Sequence, residues 1–212
     1  MTKNSRRPFH DLELKSKNIH SKTYCDLTWI NDCNFDEFRF SKEYRRSADL
    51  ILNSLRTDVD VFHRDGLFMP VAYLYRHSME LALKRSVILG IKLGEINQSK
   101  DTDKCLGGHN LDSLWKVVCM IVNAFEHYKN NIANSQIKKV VSEYNKLDPS
   151  GQCLRYSNDK SGAIRTMDNY PHRIDLEYLK DFTSVALDGL EGLQYELETI
   201  LDFKNEMESE SR

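Results

Sequence analysis

The segment 67–90 constrains the fold more than any other part of the chain, because it is apolar around most of a helical circumference. Two faces carry its large side chains: Leu67, Val71, Leu74, Ser78 and Leu81 on one, and Phe68, Ala72, Tyr75, Met79, Ala82 and Leu83 on the other. A helix of this kind is buried at the centre of a bundle. Pro70 suits its first turn, and Gly90 and Gly94 suit its end.

Apolar residues at spacings of three and four predict further helices on both sides of this segment. A first helix is expected at 41–56 with Ser41 as N-cap, and a third helix after Asn110. A shorter fourth helix follows Ser135, and a last helix spans about 175–203. The pattern predicts an all-α protein, an up-and-down bundle of four to five helices.

The last predicted helix carries a heptad seam, in which apolar residues alternate at spacings of three and four over about four heptads. Its members are Leu176, Leu179, Thr183, Ala186, Leu190, Leu193, Leu197 and Ile200. Such a seam closes its own bundle or pairs with a second chain, and the sequence leaves both options open.

Three regions are expected along the chain. Residues 1–40 form an arm with an aromatic docking segment, 41–205 the bundle, and 206–212 a frayed acidic tail. Residues 148–174 form a long connection, and long connections in compact domains are often functional.

Composition narrows the class of protein. The net charge of −2 excludes a global basic field for nucleic acid, so that phosphate binding would need a local patch. The chain contains no apolar run of membrane-spanning length, and its first residues lack the apolar core of a signal peptide. We therefore predict a cytoplasmic protein that does not contact membranes. The five widely spaced cysteines indicate reduced thiols, and neither a metal nor a cofactor is predicted.

A polar ladder interrupts the apolar helix. Arg76, Glu80 and Lys84 follow one another at intervals of four and share a face, with His77 beside them. A solvated row of salt bridges is one interpretation. The other is that the ladder lines a cleft, because the rest of the helix is apolar.

His109 follows two glycines just before the third helix. It is either a structural residue near the helix cap or a member of the same cleft as Arg76, His77 and Glu80. In the cleft, a carboxylate would fix the tautomer of its ring.

The long connection mixes basic and aromatic residues, among them Arg155, Tyr156, Arg165, Tyr170 and His172. Such a mixture holds single-stranded RNA by phosphate contacts and base stacking. A solvated loop is the alternative, since the local charge excess is small.

Three motifs occur in an order that resembles HEPN domains (higher eukaryotes and prokaryotes nucleotide-binding). The first is the string Tyr73-Leu-Tyr-Arg-His-Ser-Met-Glu-Leu-Ala-Leu-Lys84, which is similar to the second helix of these domains. The second is Gly108-His109-Asn110-Leu111-Asp112-Ser113-Leu114-Trp115, and the third is Leu154-Arg155-Tyr156. The resemblance spans roughly residues 67–165.

The resemblance implies a helical bundle that dimerises, and for many members a metal-independent ribonuclease of toxin–antitoxin or defence systems. It also implies a catalytic arginine followed after four to six residues by a histidine. No histidine stands at that distance after Arg155, whereas six residues separate Arg165 from His172. A histidine can move the proton of the RNA 2′-OH, and an arginine can brace the phosphate.

Three interpretations follow. The first is a HEPN-like endoribonuclease, with Arg165 and His172 as catalytic residues and an antitoxin or defence-system protein as partner. The second is a catalytically inactive HEPN-like bundle that binds a nucleotide, RNA or a protein partner through Arg76, His77, Glu80, Lys84, His109, Arg155 and Tyr156. The third is a helical interaction protein that uses the heptad seam.

Overall fold

The structure is a computed structural model that describes residues 37–55, 61–125, 132–158, 161–163 and 173–210. These ranges contain six α-helices and no strand, which confirms the all-α prediction. The helices are α1 Glu37–Ser54, α2 Val61–Leu93, α3 Lys100–Gly107, α4 Leu111–Ala124, α5 Ile132–Leu147 and α6 Leu176–Glu210. Residues 1–36 of the predicted arm lie outside the described residues, and its last residues, 37–40, belong to α1.

The helix α2 is the central element, as its apolar circumference predicts, and it packs against α1, α4 and α6. Residues on several sides of α2 are fully buried, among them Val71, Tyr75, Met79, Leu83 and Val87. Because α2 meets three neighbouring helices, most of the positions in its central part are buried or partly buried. Polar side chains that are buried there, such as Arg76 and Glu80, must therefore pair inside the protein.

Two of the helices that pack on α2 run in opposite directions. Contacts between Ser41 and Ser78 and between Asp49 and Tyr75 show that α1 runs antiparallel to α2. Helix α4 runs in the same direction as α2, because α3 and its flanking links carry the chain back along the bundle. The up-and-down alternation is interrupted at this connection.

Two glycines give neighbouring helices a close approach. A Cβ atom on Gly90 in α2 would overlap the side chain of Ile121 in α4. A Cβ atom on Gly189 in α6 would lie 2.8 Å from Cδ1 of Ile137 in α5. Gly90 was predicted to end the central helix, and that prediction is wrong because the glycine serves this contact inside the helix. Helix α2 ends at Leu93, and Gly94 follows with a φ of +82°, so the prediction that Gly94 stands at the end of this helix is confirmed.

The predicted starts of two helices are wrong. Ser41 was expected as an N-cap, yet α1 begins at Glu37 and Ser41 is buried against α2. Its hydroxyl donates to the carbonyl of Ser78 at 2.8 Å, and the Ser78 hydroxyl donates back to the carbonyl of Ser41 at 2.8 Å. Pro70 lies in the helix interior and not in the first turn, because α2 starts at Val61, before the predicted segment 67–90.

Other boundaries differ from the predictions as well. Helix α3 lies between the second and third predicted helices, where no helix was expected, and a capping box of Ser99 and Thr102 starts this helix without buried residues. Helix α5 starts before Ser135, whereas Asn110 caps α4 as expected by accepting from the Ser113 amide at 2.8 Å. Helix α6 continues to Glu210 through most of the predicted acidic tail.

The heptad seam closes the protein's own bundle. Leu190, Leu193 and Leu197 are buried within the core. Thr183 pairs with the hydroxyl of Tyr144 on α5 at 2.8 Å. The bundle therefore buries the seam from Thr183 to Leu197, whereas the described residues from Asp202 to Glu210 are exposed.

Candidate functional site

Arg76 and Glu80 lie at the centre of the buried ionic cluster, a set of five side chains completed by Lys84, His109 and Asp148. The Nη1 atom of Arg76 donates to Oε2 of Glu80 at 3.0 Å. The side chains of Arg76 and Glu80 are only 1% and 2% exposed. Of the two interpretations of the ladder, the solvated row of salt bridges is therefore wrong for these two residues.

The guanidinium of Arg76 also binds two segments outside α2. Its Nε donates to the carbonyl oxygen of Asp148 at 3.0 Å, and its Nη2 donates to the carbonyl oxygen of His109 at 2.5 Å. Nε lies 3.6 Å from Oδ2 of Asp148 as well. One buried cation thus fixes both the link before α4 and the turn after α5 against the central helix.

Glu80 joins the cluster to two residues nearer the surface. Its Oε1 accepts a hydrogen bond from Nζ of Lys84 and lies against Nδ1 of His109, each at 2.9 Å. Burial raises the pKa of Glu80, but the hydrogen bonds of Lys84 and His109 outweigh it, so the pKa lies below its ordinary value. Glu80 is therefore ionised at neutral pH. The predicted contact of His109 with a carboxylate is present.

Asp148 belongs to the cluster although the sequence indicated only a turn at this position. It is fully buried. Its Oδ1 accepts from the amides of Gln152 and Cys153 at 2.7 and 2.9 Å. The carboxylate thus shapes the turn from inside. The sequence signal for this turn is the string Asp148-Pro149-Ser150-Gly151, whose residue types are typical of turns.

Gly151 lets this turn approach the cluster closely. Its φ of +70° favours glycine. A Cβ at this position would lie 3.1 Å from Cβ of His109 and 3.2 Å from Nη1 of Arg76. A side chain here would displace groups that the cluster holds in place.

A second set of side chains lies beside the cluster; we call Tyr73, His77, Arg155 and Tyr156 the aromatic–arginine surface. The guanidinium of Arg155 lies 5.3 Å from the ring centroid of Tyr73 and 5.5 Å from that of Tyr156. Its Nε donates to the carbonyl of Gly151 at 2.7 Å. Arg155 is thus held between two aromatic rings by the turn that Arg76 anchors.

His77 links the aromatic–arginine surface to α1. Its ring stacks on Tyr73 with centroids 5.6 Å apart and meets Tyr44 edge to face at 4.5 Å. Burial lowers the pKa of His77, and the nearby charges of Lys84 and Arg155 lower it further, against the opposite effect of Glu80. His77 is therefore neutral at pH 7 and behaves as an aromatic residue of the surface.

The structure brings together all seven residues predicted to bind. Three of them, Arg76, Glu80 and Lys84, form the ladder, and the other four are His77, His109, Arg155 and Tyr156. The sequence did not indicate Tyr73 or Tyr44, although Tyr73 stands four residues before His77 and therefore on its face. The predicted catalytic residues Arg165 and His172 lie outside the described residues.

Other kinds of site find no support in the described part of the chain. It contains no group of three or more metal-ligating side chains. In this part, Cys105 and Cys119 are free thiols. Among its helices, none has the length and apolar character needed to span a membrane.

Comparisons of the chain with protein-family models, with curated proteins and with solved structures give no match. The resemblance to HEPN domains therefore rests on the three motifs alone. Each motif contributes to the site: Arg76 and Glu80 come from the first, His109 from the second and Arg155 from the third.

Proposed function

We propose that this chain is a HEPN-like bundle that binds single-stranded RNA at the aromatic–arginine surface. The observation that supports this function best is the position of Arg155 between the rings of Tyr73 and Tyr156. Tyr156 is 57% exposed, so a nucleobase has room to stack on it. The guanidinium beside the ring is a donor for the adjoining phosphate.

The local charge favours a polyanion although the whole chain is slightly acidic. Arg76, Lys84 and Arg155 carry three positive charges in this region, against the carboxylates of Glu80 and Asp148. The net excess of positive charge in this region is small. Binding by this surface should therefore depend on stacking as much as on charge, which favours unpaired bases over duplexes.

The site is also held in place before any ligand arrives. The turn that carries Arg155 and Tyr156 is fixed to α2 by Arg76 and shaped by Asp148. A ligand would therefore order few side chains on binding, which favours affinity.

Cleavage of the bound RNA is a second candidate function, and the contact between His109 and Glu80 is the observation that favours it. A histidine whose Nδ1 binds a carboxylate presents its other nitrogen as a proton acceptor. The His109 side chain is 49% exposed, so RNA could reach it. The predicted pair Arg165 and His172 is the competing catalytic assignment.

One experiment tests both functions. A labelled single-stranded RNA of mixed sequence is titrated with protein in the presence of EDTA, and binding is followed by fluorescence anisotropy. The variant Tyr156→Ala should weaken binding by about 5- to 150-fold, the range for loss of one stacked base. The matched control is Tyr195→Ala, because Tyr195 is 73% exposed on a different part of the protein.

The outcomes separate the proposals. Equal effects of Tyr156→Ala and Tyr195→Ala would refute binding at the aromatic–arginine surface. The same samples run on a denaturing gel report cleavage. Loss of cleavage in His109→Ala alone supports His109, whereas loss in His172→Ala or Arg165→Ala alone supports the predicted pair. Intact RNA throughout refutes the ribonuclease and leaves the binding function.

The resemblance to HEPN domains also predicts a homodimer, an antitoxin or defence-system partner and a cytoplasmic site of action. Of these, the homodimer is the simplest to test. Light scattering coupled to size-exclusion chromatography should give twice the chain mass of 24.8 kDa.

A further inference from the structure

The last three turns of α6 extend beyond the part of the helix that the bundle covers. Every core residue of α6 lies at or before Leu197, and the residues from Asp202 to Glu210 are exposed. At about 1.5 Å per residue, the exposed stretch is roughly 13 Å long. A helical stretch that the bundle does not cover is available to another molecule.

An apolar stripe follows this exposed stretch. Ile200, Phe203 and Met207 stand at intervals of three and four, which places them on one face. Phe203 is 64% exposed and Met207 is 55% exposed, whereas Ile200 is partly packed against the core. The stripe thus continues from the bundle outwards, with the spacing by which two helices pack together.

An acidic row runs beside the apolar stripe. Asp202, Glu206 and Glu210 are spaced by four residues and therefore share a face. None of the three forms a salt bridge within the described ranges. The lysine of this stretch, Lys204, directs its Nζ to the carbonyl of Leu93 at 3.2 Å, on the side of the bundle. The edge of the stripe is consequently negative.

We propose that the C-terminal part of α6 docks an amphipathic helix of a partner protein that carries lysines or arginines beside its apolar face. The apolar stripe supplies the packing surface, and the acidic row selects a basic partner. A second copy of this chain fits poorly. An antiparallel pair would place the two acidic rows against each other, and a parallel pair would place each row against the flank of Lys204, whose Nζ is already directed to the carbonyl of Leu93. The proposal is independent of RNA binding, since it concerns a different part of the molecule.

The test uses the full-length chain and a defined probe. The probe is a labelled synthetic peptide of three heptads with leucine at positions a and d and lysine at positions e and g; a second peptide has glutamate at e and g. Fluorescence anisotropy should show binding of the lysine peptide and none of the glutamate peptide. Absence of binding by the lysine peptide would overturn the proposal.

Two variants locate the binding. The variants Phe203→Glu/Met207→Glu and Asp202→Lys/Glu206→Lys/Glu210→Lys should each weaken binding of the lysine peptide about tenfold or more. The matched control is Glu43→Lys/Asp101→Lys/Asp103→Lys, which makes the same change of charge at exposed positions on α1 and α3. This control should bind within about twofold of the wild type, and circular dichroism should show the same helix content in all proteins.

Two further outcomes would overturn the proposal. Equal weakening in the control and in the acidic-row variant would mean that the peptide responds to overall charge alone. Analytical ultracentrifugation provides the other outcome. If Phe203→Glu/Met207→Glu converts a wild-type dimer to a monomer while peptide binding persists, this surface serves a second copy of the chain instead.

Discussion

Replacement of Arg76 by methionine should destabilise the protein far more than loss of an ordinary ion pair. Methionine fills much of the same space but removes the charge. Glu80, which is 2% exposed, then keeps only Lys84 and His109 as partners. The carbonyl oxygen of His109 loses its hydrogen bond from Arg76, and that of Asp148 retains only the long one from the amide of Gly151 at 3.4 Å.

The size of the loss follows from these contacts. Breaking a buried ion pair by removing one partner costs about 3–5 kcal/mol. Each buried carbonyl left without its donor costs about 1–3 kcal/mol when nothing replaces it. Because Lys84 and the Gly151 amide compensate in part, we expect Arg76→Met to lower the free energy of unfolding by about 3–5 kcal/mol in total. That is a large part of the stability of a typical domain.

Urea denaturation followed by circular dichroism measures this loss. A second variant, Arg76→Met/Glu80→Met, removes the uncompensated carboxylate and should be more stable than Arg76→Met by about 1 kcal/mol or more. The control is Arg45→Met, since Arg45 pairs with the exposed Asp188 and should contribute less than about 1 kcal/mol. A loss for Arg76→Met no larger than that for Arg45→Met would refute a structural role of the buried ionic cluster.

Two further predictions concern the same region. Gly151→Ala should lower the free energy of unfolding by about 1–3 kcal/mol, as measured by urea denaturation. The loss should exceed that of Gly162→Ala, because both glycines have a positive φ but only Gly151 has close neighbours. Equal losses in the two variants would contradict the close packing at Gly151. Burial lowers the pKa of His77 in the folded state, so the unfolded chain binds protons more readily. The free energy of unfolding should therefore fall as the pH drops through 6.5, the ordinary pKa of histidine. Urea denaturation between pH 8 and pH 5 should show a smaller fall for His77→Phe than for the wild type. The same pH dependence in both proteins would refute His77 as the cause.

The central helix and the heptad seam could be predicted because their periodicity reflects burial directly. Segment 67–90 is the core of α2, and the seam of α6 is buried up to Leu197. The first and last residues of the helices were harder to predict from the sequence. Ser41 looked like an N-cap because serine is common there, whereas its hydroxyl is used in a contact with Ser78 that only the tertiary structure reveals.

The candidate site could be predicted in composition but not in arrangement. Intervals of four placed Arg76, Glu80 and Lys84 on one face. These intervals could not show that Arg76 binds backbone carbonyl groups, because every residue has a carbonyl and the sequence does not mark which one is bound. Asp148 was indistinguishable from an ordinary turn residue. Tyr73 was hidden in an apolar helix, since its role depends on Arg155, which lies 82 positions further along the chain.

The paired glycine–isoleucine contacts restrict how this bundle can move. Ile121 fills the space beside Gly90, and Ile137 fills the space beside Gly189. If either helix slid by one turn along its neighbour, the isoleucine would meet a side chain where it now meets a bare backbone. Shear between α2 and α4, or between α5 and α6, is thereby opposed at one defined register. Conformational responses to a ligand should consequently arise in the links between helices. Exchange of backbone amide hydrogens should be slowest around Gly90 and Gly189.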